Sequence, residues 1–256
     1  MRRKDFLIGM GGLAVGAPLG AVGGRISAPE PSQPPPPATP IFQGQHSYAQ
    51  AGEDLIVHYL FGHLKLGEVT YLDIGAYDPV YLSNTYFFYK QGHRGVLVEP
   101  NVTLCEKLRA VRPRDTVLEA GIGIGKPGVA DFYVMSDPSW STFDRAEAEH
   151  RVKATQGKAT IKEVRKIPLL DVNDVIAQHF QGSAPAFVSI DVEGWEFRIL
   201  NSIDFKRFRP KVICIETLAL GENRTVHKIP PLMKARGYVA RGGSFVNTLF
   251  VDSKLL

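Results

Sequence analysis

Two short apolar runs of this sequence end in residues that could bind a nucleoside-like ligand. Asp73 and Gly75 lie at the end of the run Val69–Ile74, and Glu99 follows the run Gly95–Val98, 26 positions after Asp73. Gly75 lets the backbone approach a ligand closely, because it has no side chain. Asp73 can face the amine of an amino-acid-like group, and Glu99 can accept hydrogen bonds from both hydroxyls of a ribose.

Ser83 and Asn84 precede the next helical run and add polar oxygens to the same predicted site. The free backbone N–H groups of a helix N-terminus suit a ligand carboxylate. The dinucleotide pattern G-x-G-x-x-G is missing, because Ala76 and Asp78 follow Gly75. A nicotinamide or nucleotide-sugar enzyme is therefore disfavoured.

A second acidic group, Asp191 and Glu193, follows the apolar run Ala186–Ile190. The end of a parallel strand would place it at the same sheet edge as Asp73. A carboxylate there can accept the proton of a hydroxyl, so we predict Asp191 as base or substrate-orienting group and Glu193 as its support. Two alternatives stay open. The two acids could bind a divalent cation, although the sequence shows no third ligand and we assign no metal, or Glu193 could cap the helix near Trp195.

Two further residues could contact a substrate. Glu216 ends the next apolar run, where it could face the substrate or lie on the surface. Trp140 lies in the long insert Ser136–Gly157, which would cover the site, and its ring could stack on a substrate or serve packing alone.

The rest of the pattern predicts the scaffold that holds these residues. Short β-type runs alternate with helical runs from Tyr48 onward, which is typical of a parallel sheet covered by helices on both faces. Runs such as Val212–Ile215 are almost continuously apolar, as expected of strands buried on both faces. Val129–Met135 predicts an added strand, and Pro168–Phe180 predicts a helical segment leading to the next strand. We therefore predict an α/β fold with a mostly parallel seven-stranded sheet.

The N-terminal residues differ in composition from the rest. Residues 1–24 combine Arg2, Arg3 and Lys4 with an uncharged stretch rich in glycine and alanine, which predicts a secretory or twin-arginine-like signal, or a membrane tether. Residues 25–40 are proline-rich and predict an extended linker, and residues 41–256 form the predicted folded domain. The net charge of +4 comes without a basic-aromatic array, so we predict no nucleic-acid partner.

Several blocks of the chain, taken in order, resemble those of FkbM-type S-adenosylmethionine-dependent methyltransferases. The blocks that carry the resemblance are Ser47–Asp54, Tyr71–Asp78, Ser83–Thr85, Val98–Asn101 and Ser189–Gly194. The resemblance implies a Rossmann-like class I methyltransferase fold and S-adenosyl-L-methionine as cofactor. It places Asp73 and Gly75 at the methionine end of that cofactor and Glu99 at its ribose. Pro79 departs from the family, which often has glycine there, and stiffens the loop.

The resemblance also implies methyl transfer to a hydroxyl oxygen, on a glycan or a small metabolite. The alternative is a non-catalytic module that retains the methyltransferase fold and is exported or membrane-associated through residues 1–24. These residues favour export or membrane association, whereas the cytosolic supply of S-adenosylmethionine favours the cytoplasm.

Overall fold

The structure, a computed structural model, describes residues 44–125, 127–218 and 226–256. Its strands are β1 (Tyr71–Ile74), β2 (Gly95–Glu99), β3 (Thr116–Glu119), β4 (Gly121–Ile122), β5 (Gly128–Met135), β6 (Ile161–Leu170), β7 (Phe187–Ile190), β8 (Val212–Glu216), β9 (Tyr238–Gly243) and β10 (Asn247–Asp252). Its helices are α1 (Glu53–His63), α2 (Tyr86–Lys90), α3 (Val102–Val111), α4 (Arg145–Ala154), α5 (Val172–His179), α6 (Glu196–Ser202) and α7 (Ile229–Ala235).

The main sheet has seven strands in the order β3-β2-β1-β7-β8-β10-β9. The strands from β3 to β8 pair in parallel, and β10 runs antiparallel to both β8 and β9. The predicted mostly parallel seven-stranded sheet is thus confirmed, and its strand order is that of the predicted class I methyltransferase fold. The order reverses between β1 and β7, and a crevice for ligands opens beyond the carboxyl ends of strands at such a point.

Alternate residues of the strands build two hydrophobic cores, one on each face of the sheet. Leu72 and Ile74 of β1 belong to the core that also contains residues of α5, α6 and α7. Tyr71 of the same strand belongs to the other core, with residues of α1, α2 and α3. Side chains alternate between the faces of a strand, so β1 contributes to both cores. Helices therefore cover both faces, as predicted.

The predicted added strand exists, but it lies in a second sheet rather than in the main one. This sheet has the order β4-β6-β5, and β5 pairs with β6 in an antiparallel manner. The strand β6 was not predicted, and the prediction of a helical segment from Pro168 was wrong. Pro168 lies in β6 where only β5 is a neighbour, because β4 pairs with Leu169 and Leu170 alone, so the missing N–H of proline is tolerated.

The helix after β6 begins only at Val172. Asp171 provides the start signal, since its side chain accepts hydrogen bonds from the backbone N–H groups of Asn173 (2.7 Å) and Asp174 (3.3 Å). The insert at 136–157 contains a 3-10 turn at Pro138–Trp140 and the helix α4.

The predicted signal or tether at residues 1–24 and the predicted linker at 25–40 lie outside the described residues. Within the ranges that the structure describes, none of the helices is long and apolar enough to span a bilayer.

Candidate active site

A cavity of about 240 Å³ lies at the carboxyl ends of the central strands. On this scale one water needs about 10–15 Å³, so the cavity admits a ligand of many atoms. The residues predicted from the sequence to form the site all line it, and they are Asp73, Gly75, Ser83, Asn84, Glu99, Asp191 and Glu193. The structure thus brings them together, while the role of each stays a prediction.

Asp73 lies at the floor of the cavity and is held by hydroxyl groups. The Thr85 hydroxyl donates to Asp73 Oδ2 at 2.6 Å, and the Ser189 hydroxyl lies close enough to the same carboxylate to lower its pKa. Burial raises the pKa of Asp73 above its ordinary value, and the hydrogen bond from Thr85 and the charge of Arg112 counter only part of that effect. The carboxylate is therefore fixed in position and weakly solvated, as a group that binds a ligand cation should be.

Asn84 leaves one buried oxygen without a donor. Its amide nitrogen donates to Ser189 Oγ at 3.1 Å. Asn84 Oδ1 then has no hydrogen-bond partner, although the residue is only 7 % exposed. A buried acceptor without a donor is costly. Beside Asp73, this oxygen suits a ligand ammonium group.

Gly75 lies where the backbones of two strand ends come together. Its N–H donates to the carbonyl of Val98 at 2.9 Å, and its φ of +86° is in the left-handed region that favours glycine. A Cβ at this position would lie 1.8 Å from the carbonyl oxygen of Asp191. Glycine is therefore required here both by conformation and by the close approach of the two segments.

Glu99 ends β2 with its carboxylate facing back toward the turn after β1. The backbone N–H of Tyr77 donates to Oε2 at 2.9 Å, and that of Asn101 donates to Oε1 at 2.7 Å. Burial nevertheless raises the pKa of Glu99 to about 7. Each carboxylate oxygen keeps a further lone pair, so the side chain can still accept two ligand hydroxyl groups.

Ser83 lines the cavity, but its hydroxyl is also hydrogen-bonded to neighbouring protein groups. Ser83 Oγ accepts hydrogen bonds from the backbone N–H of Tyr86 at 3.1 Å and from Arg112 Nη1 at 3.2 Å. It thereby satisfies a free N–H at the start of the short helix α2. These contacts show Ser83 holding the loop that carries Asn84.

Sequence reasoning missed the fully buried Arg112, which supports this whole side of the cavity. Its Nε donates to Asp115 at 2.8 Å, and both side chains have zero exposure. Its Nη2 donates to Thr85 Oγ1 at 3.0 Å and to the Tyr71 hydroxyl at 3.2 Å. Arg112 thus reaches Asp73 through Thr85. The one signal for it in the sequence was the i,i+3 pair with Asp115 just after a helix.

Asp191 and Glu193 follow β7 and face the same cavity. The N–H of Asp191 donates to the carbonyl of Ile74 at 3.0 Å, which fixes this segment against the end of β1. Burial, and then the charge of Glu193, raises the pKa of Asp191 well above its ordinary value. Burial also raises the pKa of Glu193 to about 7, although an ion pair of 2.5 Å with Arg151 opposes the shift.

Two further acids, Glu196 and Glu216, lie beside Asp191. One carboxylate oxygen from each of the three residues lies within 4.8 Å of the others. Glu196 receives the backbone N–H groups of Val192 (3.1 Å) and Gly194 (3.0 Å) ahead of α6, the capping role that was left open for Glu193. Glu216 is 5 % exposed and lines the cavity, so it is not a surface acid. Burial, and then Asp191, raises its pKa to about 10.

Aromatic residues of the insert and of α6 form the remaining wall. Trp140, Phe143 and Trp195 all line the cavity, and the ring centroids of Phe143 and Trp195 are 5.8 Å apart. Trp140 also packs against the small core under the insert, and the Arg151 guanidinium lies 5.4 Å from its ring. The insert therefore covers the site, as predicted, and Trp140 serves packing while facing the cavity.

Comparisons with known proteins agree with this architecture. The profile of the methyltransferase FkbM domain matches residues 73–240. No curated protein matches the sequence. Among solved structures, the chain is similar to an O-methyltransferase from Bacillus cereus in complex with SAH, at 12 % identity and a TM-score of 0.42, covering 81 % of this chain and 84 % of that one. It is also similar to a TehB-like SAM-dependent methyltransferase from Corynebacterium glutamicum, at 12 % identity and a TM-score of 0.40, covering 79 % and 88 %.

Proposed function

Since the chain belongs to the FkbM methyltransferase family, with S-adenosylmethionine as its cofactor, we propose that it methylates a hydroxyl oxygen of a small molecule or glycan. The bound cofactor supplies an electrophilic methyl group on a sulfonium. The acceptor oxygen must be aligned with that methyl group, and the hydroxyl must lose its proton. The observation that carries the proposal is the position of Asp191. The backbone carbonyl of this residue lies close to Gly75, the glycine that follows β1 in the cofactor site.

The residues of the cavity fit this cofactor in separate places. Asp73 and the unpartnered oxygen of Asn84 would hold the ammonium group of its methionine part. Gly75 leaves room along the backbone, and Glu99 would accept the ribose hydroxyls. The fit rests on these contacts and on the buried acceptor that lacks a donor.

Asp191 is the group we assign to the acceptor proton. Its segment lies against both Ile74 and Gly75, so its carboxylate stands beside the methionine end of the cofactor site. A carboxylate with a raised pKa is a better proton acceptor than an ordinary one, because its basicity is closer to that required near neutral pH. Glu193, which is held by its ion pair with Arg151, would support Asp191 in this role.

The test is methyl transfer by the purified full-length chain from cofactor labelled in the methyl group. The acceptors are matched pairs, each a sugar or phenol and the corresponding amine, and the products are identified by mass shift. We expect label on oxygen in the hydroxyl member of a pair. Label found only on nitrogen or carbon would refute the proposal.

An Asp191→Asn variant tests the assigned base. We expect the rate of methyl transfer to fall by about 10²–10⁴-fold, the usual contribution of a general base, while calorimetry shows unchanged cofactor affinity. The exposed residue Glu163, which pairs with Arg165 outside the cavity, provides the control variant Glu163→Gln. Equal rates for the two variants would rule out Asp191 as the base.

We also propose that residues 1–24 direct the chain to the membrane or across it, on the basis of their arginine pair and uncharged stretch. Mass spectrometry of the native N-terminus, with fractionation of the cells, tests this. An intact N-terminus on a cytosolic chain would refute it.

A further inference from the structure

We infer that Asp191, Glu196 and Glu216, together with the side-chain oxygen of Asn247, bind a divalent metal ion at the wall of the cavity. The proposed ligands come from β8, β10, α6 and the segment that joins β7 to α6. Asp191, Glu216 and Asn247 line the cavity, whereas Glu196 lies behind them and is fully buried.

The distances between the carboxylate oxygens match those between the oxygen ligands of a divalent metal ion. One oxygen from each acid lies within 4.8 Å of the other two. Ligands on opposite sides of a metal ion are separated by twice the metal–oxygen distance, which is about 4.0–5.2 Å for Mg²⁺ to Ca²⁺. Three oxygens within 4.8 Å of one another could therefore share one such ion.

Glu216 provides an observation that is independent of the clustering of acids. It is 5 % exposed, yet none of the residues in the described ranges donates a hydrogen bond to its carboxylate. A buried carboxylate without a donor is expensive, and it is retained where a cation or a ligand satisfies it. The side chain is directed into the cluster, because its oxygen lies beside those of Asp191 and Glu196.

Asn247 supplies a second buried oxygen without a donor at the same place. It pairs directly with Glu216 across β10 and β8, so the two side chains project from the same face of the sheet. Its amide nitrogen donates to Glu53 Oε1 at 3.0 Å, which fixes the orientation of the amide. Asn247 Oδ1 then has no partner, although the residue is only 2 % exposed.

The chemistry of these ligands selects the class of metal. All are carboxylate or amide oxygens, which are preferred by Mg²⁺, Mn²⁺ and Ca²⁺ rather than by soft metals. Arg151 is the one cationic side chain among the described residues that line the cavity, and it already pairs with Glu147 and Glu193. It is therefore committed elsewhere and does not occupy the position of the ion.

The role of the ion, unlike its binding, rests on the proposed function. A divalent ion at this wall would bind the hydroxyl oxygen of the acceptor and favour loss of its proton. Asp191 has two oxygens, so one can bind the ion while the other faces the acceptor hydroxyl. The substrate class then narrows to acceptors that can bind a metal, such as those with two adjacent hydroxyl groups.

The experiment is a titration of the full-length chain with Mn²⁺, in which electron paramagnetic resonance measures the free ion. We expect one Mn²⁺ per chain, and affinity at least about tenfold weaker in Glu216→Gln and Asp191→Asn. Glu163→Gln should bind as the wild type does. Calorimetry should show that Glu216→Gln still binds S-adenosylmethionine, which establishes that the variant is folded.

The outcomes separate this inference from the proposed function. Absence of Mn²⁺ binding by the wild type up to about 1 mM, or equal binding by Glu216→Gln and Glu163→Gln, would overturn the metal site. Methyl transfer to a hydroxyl that is unaffected by chelators would overturn the role given to the ion, and would leave the proposed function standing. Mn²⁺ binding that is lost in Glu216→Gln, in a chain that methylates no hydroxyl, would support the site and refute the proposed function.

Discussion

Replacing Arg112 by methionine should destabilise the domain strongly, because the guanidinium is fully buried and has a buried counter-ion. Four hydrogen bonds would be lost: to Asp115, Ser83, Tyr71 and Thr85, at 2.8 to 3.2 Å. The largest cost is that of Asp115, whose side chain also has zero exposure and would be left without its counter-ion. Breaking a buried pair in this way costs about 3–5 kcal/mol.

Urea denaturation of the full-length chain, followed by circular dichroism, would measure this loss. The matched control is Arg109→Met, three residues earlier near the end of α3, whose ion pair with Glu119 is 3.5 Å long and exposed. We expect that variant to lose less than about 1 kcal/mol. In the double variant Arg112→Met/Asp115→Asn the unpaired charge is gone, so part of the stability should return.

The same variants test whether Arg112 positions the cofactor site. Without Arg112, Thr85 loses one of its partners and holds Asp73 less firmly, so the double variant should bind S-adenosylmethionine more weakly than Arg109→Met does at equal folded fraction. Equal stability of Arg112→Met and Arg109→Met would refute the predicted contribution of the buried ion pair. A double variant that is no more stable than Arg112→Met would refute the predicted cost of the unpaired Asp115.

Further predictions concern the cofactor side of the cavity. Ribose hydroxyls donate to the ionised form of Glu99, whose pKa is raised to about 7, so cofactor affinity should rise as the pH rises through 7 and be about tenfold weaker at pH 6 than at pH 8. Calorimetry at pH 6 and pH 8 measures this change in affinity. The variant Glu99→Gln should bind the cofactor weakly and without the pH dependence that Glu99 causes. A wild-type affinity that is equal at the two pH values would contradict the prediction. Gly75→Ala should abolish cofactor binding, because its Cβ would meet the Asp191 carbonyl at 1.8 Å. Gly92 has a similar φ of +97°, but there is open space around its Cα, so Gly92→Ala should bind the cofactor normally in the same assay.

Much of the fold could be predicted because its determinants are local in the chain. A strand buried on both faces is an apolar run, as Val212–Ile215 is. The ends of such runs mark the sheet edge where ligands bind, so Asp73, Glu99 and Asp191 could be proposed from their positions alone. The strand β6 was not predicted because its proline suggested a break in the strand. Its pairing partner β5, beside which the proline is tolerated, lies more than thirty residues earlier in the chain.

The remaining parts of the site depend on which elements become neighbours. Arg112 supports Asp73 only because the end of α3 lies against the loop before α2, and no periodicity records that contact. Glu216 and Asn247 become adjacent acceptors through the antiparallel pairing of β10 with β8, and Glu196 joins them from α6. A sequence pattern fixes the face and the end of an element on which a residue lies. Which polar atoms converge, and which are left without a partner, follows from strand order and packing across long separations in the chain.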